Sequence, residues 1–136
     1  MKINKPSIAV ILVNWKKYNL TSNCIDSLNK SNYKNFKIIL VDNEYSEKSL
    51  IDLRNKHKEL IVFKEKNNLG FAGGNNIGIR YALENDYDYI MLLNNDTEVT
   101  ENFILPLVER IEKDHSLGAV QPLILNFSNK SIIWNA

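Results

Sequence analysis

Asparagine, glycine and aspartate gather at two places along this 136-residue chain, and both could handle a phosphorylated ligand. The first is Asn67-Asn68-Leu69-Gly70-Phe71-Ala72-Gly73-Gly74-Asn75-Asn76, a turn that leads into a helix. Glycines let a backbone come close to a ligand, and the free N–H groups of a helix's first turn attract an anion. The second is Leu92-Leu93-Asn94-Asn95-Asp96-Thr97, a hydrophobic strand that ends in amides and one carboxylate. A carboxylate at a strand's carboxyl end stands where open α/β sheets bind ligands. Asp96 could offer oxygen to Mg²⁺ or Mn²⁺, hard cations that often share substrate phosphates. Taken together, the two segments imply a site for a phosphate-bearing ligand and a divalent cation.

Those segments need a scaffold, and the hydrophobic pattern supplies one. Ile8 to Val13 is an unbroken aliphatic run, the signature of a strand buried on both faces of a parallel sheet. A helical stripe follows at Leu20, Cys24, Ile25 and Leu28, with Asn19 as the expected N-cap. Phe36 to Val41 forms a second strand ending at Asp42-Asn43; Ser46 caps a helix with Leu50, Leu53 and His57 on one face. Leu60 to Phe63 gives a third strand, and a helix runs from about Gly74 to Glu84 with Ile77 and Tyr81 one turn apart. Tyr89 to Leu93 is the fourth strand. A last helix starts at Thr100 or Asn102, carries Phe103, Leu107 and Ile111, and has Pro106 near its first turn. Ala119 to Leu125 and Ser131 to Trp134 complete the strands. Alternating strands and helices with short connections predict one α/β domain: a doubly wound, mostly parallel sheet with helices on both faces. In such a sheet Asn14, Asp42 and Asn94 to Asp96 share one edge, beside the crevice where strand order reverses.

Composition narrows the class. With 44% hydrophobic and 24% charged residues and a net charge of +1, the chain can build a core and carries no basic block suited to nucleic acid. Its first apolar run is far shorter than the ~20 residues that span a bilayer and lacks a signal-peptide cleavage site, so a cytoplasmic location is expected, with the inner membrane face as a variant. Cys24 has no partner for a disulfide and falls in register with Leu20 and Leu28, as a buried thiol would. His57 and His115 lack a second ligand at metal spacing. N-x-S/T triplets such as those at Asn19, Asn95, Asn126 and Asn129 read as chance matches in an asparagine-rich chain.

Taken singly, each site residue has a plain alternative. Asp42 reads equally as a turn residue, Asn94-Asn95-Asp96 as an ordinary polar turn, and Gly70, Gly73 and Gly74 as loop-to-helix punctuation. Trp15 and Phe71 could be core or rim aromatics. In order, however, Val13-Asn14-Trp15, Ile39-Leu40-Val41-Asp42-Asn43, the 67–78 segment and Leu92-Leu93-Asn94-Asn95-Asp96-Thr97-Glu98-Val99 closely resemble the donor-binding half of family 2 inverting glycosyltransferases of the GT-A fold. The rhamnosyltransferase-like members that build bacterial surface polysaccharides are the nearest likeness.

The resemblance implies a set of roles. Asp42 would recognise the donor's base near Val13 and Asn14. Asn68, Gly70, Phe71, Gly73 and Asn76 would line the nucleotide-sugar pocket with Asn94 and Asn95. Asp96 would hold Mg²⁺ or Mn²⁺ on the diphosphate, as the last position of the family's D-x-D motif. Two departures stand out: Asn94 replaces that motif's first acid, and Glu44-Tyr45 follows Val41-Asp42-Asn43 where the family usually has a small residue. The implied partners are a UDP- or dTDP-sugar and a glycan acceptor. The general base belongs to the acceptor-binding half, expected beyond Ala136, so the chain reads as a donor half that transfers nothing by itself. Its C-terminal apolar strands would then pair two copies as a homodimer. The rivals are a catalytically inactive nucleotide-sugar-binding module and a sugar-phosphate nucleotidyltransferase. The latter needs a glycine-rich basic loop after the first strand, where Asn14-Trp15-Lys16-Lys17-Tyr18 stands instead. The same missing glycines count against an NAD-binding Rossmann domain. A receiver-like signalling domain would need acids at the first strand's end, and Val13-Asn14 has none.

Overall fold

The computed structural model describes residues 5–135. Its elements are β1 (Ile8–Trp15), α1 (Tyr18–Asn29), β2 (Phe36–Asn43), α2 (Glu47–Lys56), β3 (Ile61–Glu65), α3 (Gly70–Glu84), β4 (Tyr89–Asn94), α4 (Ile104–Lys113), β5 (Ile124–Leu125) and β6 (Ile133–Asn135). β1 to β4 form a parallel sheet in the order β3-β2-β1-β4. The chain first winds outward from β1 to β3, then crosses back to place β4 on β1's other side. The switch point therefore lies between β1 and β4, as the doubly wound reading requires.

Continuous apolar runs make these strands because both faces are covered. Ile8, Val10 and Leu12 pack with Cys24, Ile25 and Leu28 of α1, Leu50 and Leu53 of α2, and Ile104 and Val108 of α4. Ala9, Ile11 and Ile39 face the other way, against Ala82 of α3. Cys24 is buried in the first layer, as its register predicted. Leu50, Leu53 and His57 are likewise buried together on α2's inner side.

Several local expectations are corrected. α1 begins at Tyr18, so Asn19 lies inside the helix rather than at its cap. Asn14 reaches across instead, its Oδ1 accepting the Lys17 N–H at 3.1 Å. Leu20 is exposed, and Thr21 takes the inward position. On α4 the buried stripe is Ile104 and Val108, while Phe103, Leu107 and Ile111 are only half-buried. β5 and β6 do not extend the main sheet; they form a short antiparallel pair of their own, and Ala119 to Leu123 is irregular. That hairpin leaves Leu123, Phe127, Ile132, Ile133 and Trp134 more than half exposed. Among the described residues no helix is long and apolar enough to cross a membrane.

Candidate functional site

Parallel register brings the polar strand ends side by side. Asn14 of β1 lies opposite Asp42 of β2, and Val13 lies opposite Asn94 of β4. Asn14 is the hub. Its Nδ2 donates to Asp42 Oδ1 at 2.7 Å, and its Oδ1 accepts from the Thr21 hydroxyl at 2.9 Å and from Asn95 Nδ2 at 3.2 Å. Asn95 also donates to Thr21 Oγ1 at 2.9 Å, which ties the β4 exit to α1. The Tyr18 hydroxyl donates to Asp42 Oδ2 at 2.8 Å while accepting the Ser46 N–H at 2.7 Å. Asn14, Thr21 and Asp42 are all fully buried.

Burial of a carboxylate favours its neutral form, whereas donors aimed at it favour the charged one. For Asp42 burial is the larger influence: its pKa sits above the ordinary 3.8, with Asn14 and Tyr18 pulling it back down. The Tyr18 hydroxyl is pushed up to about 12, chiefly by burial, with the adjacent Asp42 adding to the rise. At neutral pH Tyr18 therefore keeps its proton and donates it in a hydrogen bond to Asp42. One donor on each oxygen makes Asp42 a fixed anchor behind the edge rather than a loose surface acid, with a lone pair left on each.

Asn43, beside it, faces the other layer. Its Nδ2 donates to Asn68 Oδ1 and to the Gly70 carbonyl, each at 3.2 Å, and Asn68 Oδ1 also accepts the Gly70 N–H at 2.9 Å. Through these bonds the glycine-asparagine turn hangs from the end of β2. Its helix begins four residues sooner than the sequence suggested, at Gly70, whose φ of 71° suits glycine. Gly74 and Gly78 serve close packing: a Cβ there would stand 2.7 Å from Val13 Cγ1 and 2.6 Å from Ile11 Cγ2. Lacking side chains at these points, α3 lies directly on β1. The helix's free first-turn N–H groups therefore sit beside the strand ends. Phe71 and Asn76 are exposed on α3, while Asn75 turns inward and donates to the Phe71 carbonyl at 3.0 Å.

Beyond β4 the character changes. The side chains of Asn94 and Asp96 are exposed. The turn is fixed by the backbone instead, with the Thr97 N–H donating to the Asn94 carbonyl at 3.1 Å. Among the described residues no three His, Cys, Asp or Glu side chains gather into a metal cage. What stands there is one carboxylate and one amide oxygen, hard donors that suit a cation whose remaining ligands come from elsewhere.

The structure thus joins Asn14, Asp42 and Asn95 in one network, and holds Asn68 and Gly70 in a separate group on Asn43, the residue after Asp42. Val13 abuts Gly74, so Gly73 and Gly74 lie at the same edge. Tyr18, Thr21 and Asn43 were not among the site residues expected from the sequence. Strand pairing would have pointed to Asn43, which lies opposite Trp15 in the register, but nothing in the spacing singles out Tyr18 or Thr21. The rim holds one further group. Trp15 Nε1 donates to Glu44 Oε2 at 2.8 Å, and Lys16 pairs with Glu44 at 3.0 Å. Lys16 and Glu44 both have left-handed backbones, with φ of 58° and 51°.

Known proteins agree with this architecture. S. aureus TarS in complex with UDP-GlcNAc superposes with a TM-score of 0.70 at 16% identity, over 80% of this chain and 32% of that one. The mannosyltransferase PcManGT from Pyrobaculum calidifontis, in complex with GDP-Man and Mn²⁺, gives 0.60 at 16% identity, over 71% and 29%. Their fold, GT-A, is the fold of this chain. In sequence, the low-salt glycan biosynthesis hexosyltransferase Agl10 of Haloferax volcanii is 30% identical over 122 residues, 88% of this chain and 37% of its own length. The galactofuranosyltransferase GlfT1 of Mycolicibacterium smegmatis is 23% identical over 122 residues, 90% of this chain and 40% of its own. The chain spans less than half the length of these relatives. The profile of Glycosyl transferase family 2 matches residues 7–136, and the chain belongs to that family.

Proposed function

We propose that the chain forms the donor-binding part of a glycosyltransferase, taking a nucleoside-diphosphate sugar at the carboxyl edge of β1, β2 and β4. The observation that carries this reading is that one sheet edge holds both the hydrogen-bonded set of Asn14, Asp42 and Asn95 and, on the next residue of β2, Asn43 bonded to the start of α3. The base lies toward Asp42, Val13 and Asn14. Because Asp42 already receives Asn14 and Tyr18, it contributes its remaining lone pairs and a fixed negative potential, which suits a base presenting N–H groups. A pyrimidine is the best fit to the family likeness, as in a UDP- or dTDP-sugar. Asn68, Gly70, Phe71, Gly73 and Asn76 line the diphosphate and sugar side, where the helix's N–H groups favour negative charge.

Asp96, with Asn94, would hold Mg²⁺ or Mn²⁺. When bound, that cation supplies neutralisation of the charge on the departing diphosphate. Transfer itself is a displacement at the anomeric carbon by an acceptor hydroxyl, with inversion. The C1–O bond to the diphosphate breaks as the C1–O bond to the acceptor forms, and the hydroxyl proton passes to a general base. None of the residues at this edge is assigned as that base. The side chains here bind, orient and exclude water, and the acceptor is a cell-surface glycan. GDP-Man and UDP-GlcNAc in the neighbouring structures support a nucleotide sugar as the ligand class.

Thermal melting with UDP, dTDP and GDP, each with and without Mn²⁺, tests the proposal. A metal-dependent upward shift with a pyrimidine nucleotide is expected. No shift in any combination would overturn the donor-site reading.

A further inference from the structure

A surface cavity lies at the opposite end of the sheet. At the amino ends of β2 and β3, under the last turns of α1 and α2, the surface opens into a cavity of about 410 Å³. Phe36, Ile38 and Leu60 give it an apolar floor, and Lys34, Lys37, Lys56 and Lys58 ring it with Glu59 as the single acid of the lining. Two separate stretches of sequence supply these lysines, so a chain of net charge +1 acquires a basic pocket only on folding.

Existing contacts consume part of that charge. Lys37 pairs with Glu59 at 3.3 Å, and Lys56 pairs with Asp26 at 2.6 Å. Lys34 donates to the Asn29 carbonyl at the end of α1, at 3.2 Å, which neutralises no charge. Lys58 has no ion pair among the described residues. Two ammonium groups therefore remain in excess at the rim.

His57 adds a neutral donor. Its side chain is only 4% exposed although it lines the cavity. The Ser22 hydroxyl accepts from Lys56 Nζ at 2.8 Å and sits 3.0 Å from His57 Nε2. Asp26 Oδ1 lies 4.0 Å from the same nitrogen, so Ser22 and Asp26 both face Nε2. Burial holds the ring's pKa below 6.5, so the imidazole is neutral at physiological pH and offers one N–H.

We propose that this cavity binds a phosphate-type anion that carries an apolar portion, the oxyanion held by Lys34, Lys58 and His57 and the apolar part resting on Phe36, Ile38 and Leu60. Such a group could be a lipid headgroup or a small phosphorylated molecule; the oxyanion chemistry is common to both. The site faces away from the donor edge and stands independently of the glycosyltransferase reading.

The test is an amide and imidazole NMR titration of the whole chain with inorganic phosphate. Saturable shifts are expected at residues 34–38 and 56–60 and at the His57 ring, unchanged in Asp96→Ala. Each lysine of a basic site contributes on the order of fivefold in affinity, so Lys34→Gln/Lys58→Gln should weaken binding by more than about tenfold. Both lysines are exposed, and an unchanged spectrum elsewhere reports that the variant is folded. Sedimentation with vesicles separates the sources. Pelleting with phosphatidylglycerol vesicles but not with phosphatidylcholine vesicles, lost in the double variant, assigns a headgroup. Phosphate binding without pelleting assigns a small phosphorylated molecule. Shifts confined to residues 68–74, or identical in the double variant, would overturn the proposal and leave the lysines as partners of the helix ends.

Discussion

The two sides of the carboxyl edge are built on opposite plans. At the ends of β1 and β2, Asn14, Asp42 and Thr21 are buried and bonded to one another, with Tyr18 and Asn95 completing the set. At the end of β4, Asn94 and Asp96 carry their polar groups into solvent. A buried network gains from every satisfied partner and loses heavily from one missing partner, because low polarity magnifies both. An exposed acid costs nothing while it waits for a ligand. The first side is therefore preorganised by folding, and the second is left to be completed by a ligand.

Asn14→Ala should break that contrast most severely. It removes one of two donors from the buried Asp42 carboxylate and takes the side-chain acceptor from the Lys17 N–H, while Thr21 and Asn95 keep only each other and the Lys17 carbonyl. Taking a donor from a buried carboxylate and thinning the bonds around it costs about 3 kcal/mol. For a domain of this size the melting temperature should fall by roughly 10 °C. The deficit also has a pH signature. Asp42's folded pKa lies above 3.8, so the folded state holds its proton more tightly than the unfolded chain does. Stability therefore falls as pH rises from 3.8 through the raised value, and the penalty is complete above it. Losing Asn14 raises that pKa further. The variant's deficit should thus shrink as acid protonates Asp42, which denaturant melts across pH 3–7 would reveal. A pH-independent deficit would mean that the carboxylate is not what suffers.

Asp96→Ala probes the other side and should leave the melting temperature of the free protein unchanged. Its effect is expected only with ligand. Nucleotide and Mn²⁺ at ~100 times Kd should stabilise the parent chain by ~2.7 kcal/mol. The variant should lose the metal-dependent part of that gain. A variant less stable without ligand would show that Asp96 belongs to the fold's own network.

Tyr18→Phe is the intermediate case. It removes the donor to Asp42 Oδ2 and the acceptor of the Ser46 N–H while keeping the ring. A hydrogen bond to a charged group contributes ~1.5–3 kcal/mol, and the lower end applies because Tyr18 is only half-buried. Urea melts at neutral pH would measure it, and base discrimination should weaken in parallel if Asp42 faces the nucleotide.

The sheet was legible in the sequence because its strands are apolar on both faces, and a run as short and as aliphatic as Ile8 to Val13 suits a doubly covered strand far better than a helix or a loop. Asn14, Asp42 and Asn95 were legible as strand-end polar residues for the same reason. The remainder depends on contacts between distant segments. Asn19 has the right chemistry for a cap, but Asn14, held by Asp42, fixes the Lys17 N–H, and the helix starts from there at Tyr18 with no side-chain cap. Asn67 to Gly73 looks like loop by composition, yet most of it is helix because Asn43 holds Asn68 and Gly70 from another strand. Strand propensity at Ala119 to Leu123 came to nothing, since pairing needs a neighbour and β6 reaches only Ile124 and Leu125.

Glycines in α3 give the smallest and most separable effects, because the helix that hangs beside the preorganised side uses them for two different reasons. At Gly74 and Gly78 the obstacle is steric: an added Cβ would come within 2.7 Å of Val13 and 2.6 Å of Ile11. Alanine at Gly78 must lift the helix or displace Ile11, and overpacking of this kind costs ~1–3 kcal/mol. Gly70 differs, since a Cβ there meets nothing within 4 Å and only its φ of 71° resists substitution. Gly70→Ala should therefore cost ~1 kcal/mol, the ordinary penalty for a left-handed alanine. Asn43 still holds the Gly70 carbonyl, so the turn should keep its place and nucleotide binding should change little. Thermal melts and nucleotide titrations on both variants separate the two effects. If Gly70→Ala abolished binding while costing no more stability than expected, the first turn of α3 would be touching the ligand through that residue's own backbone.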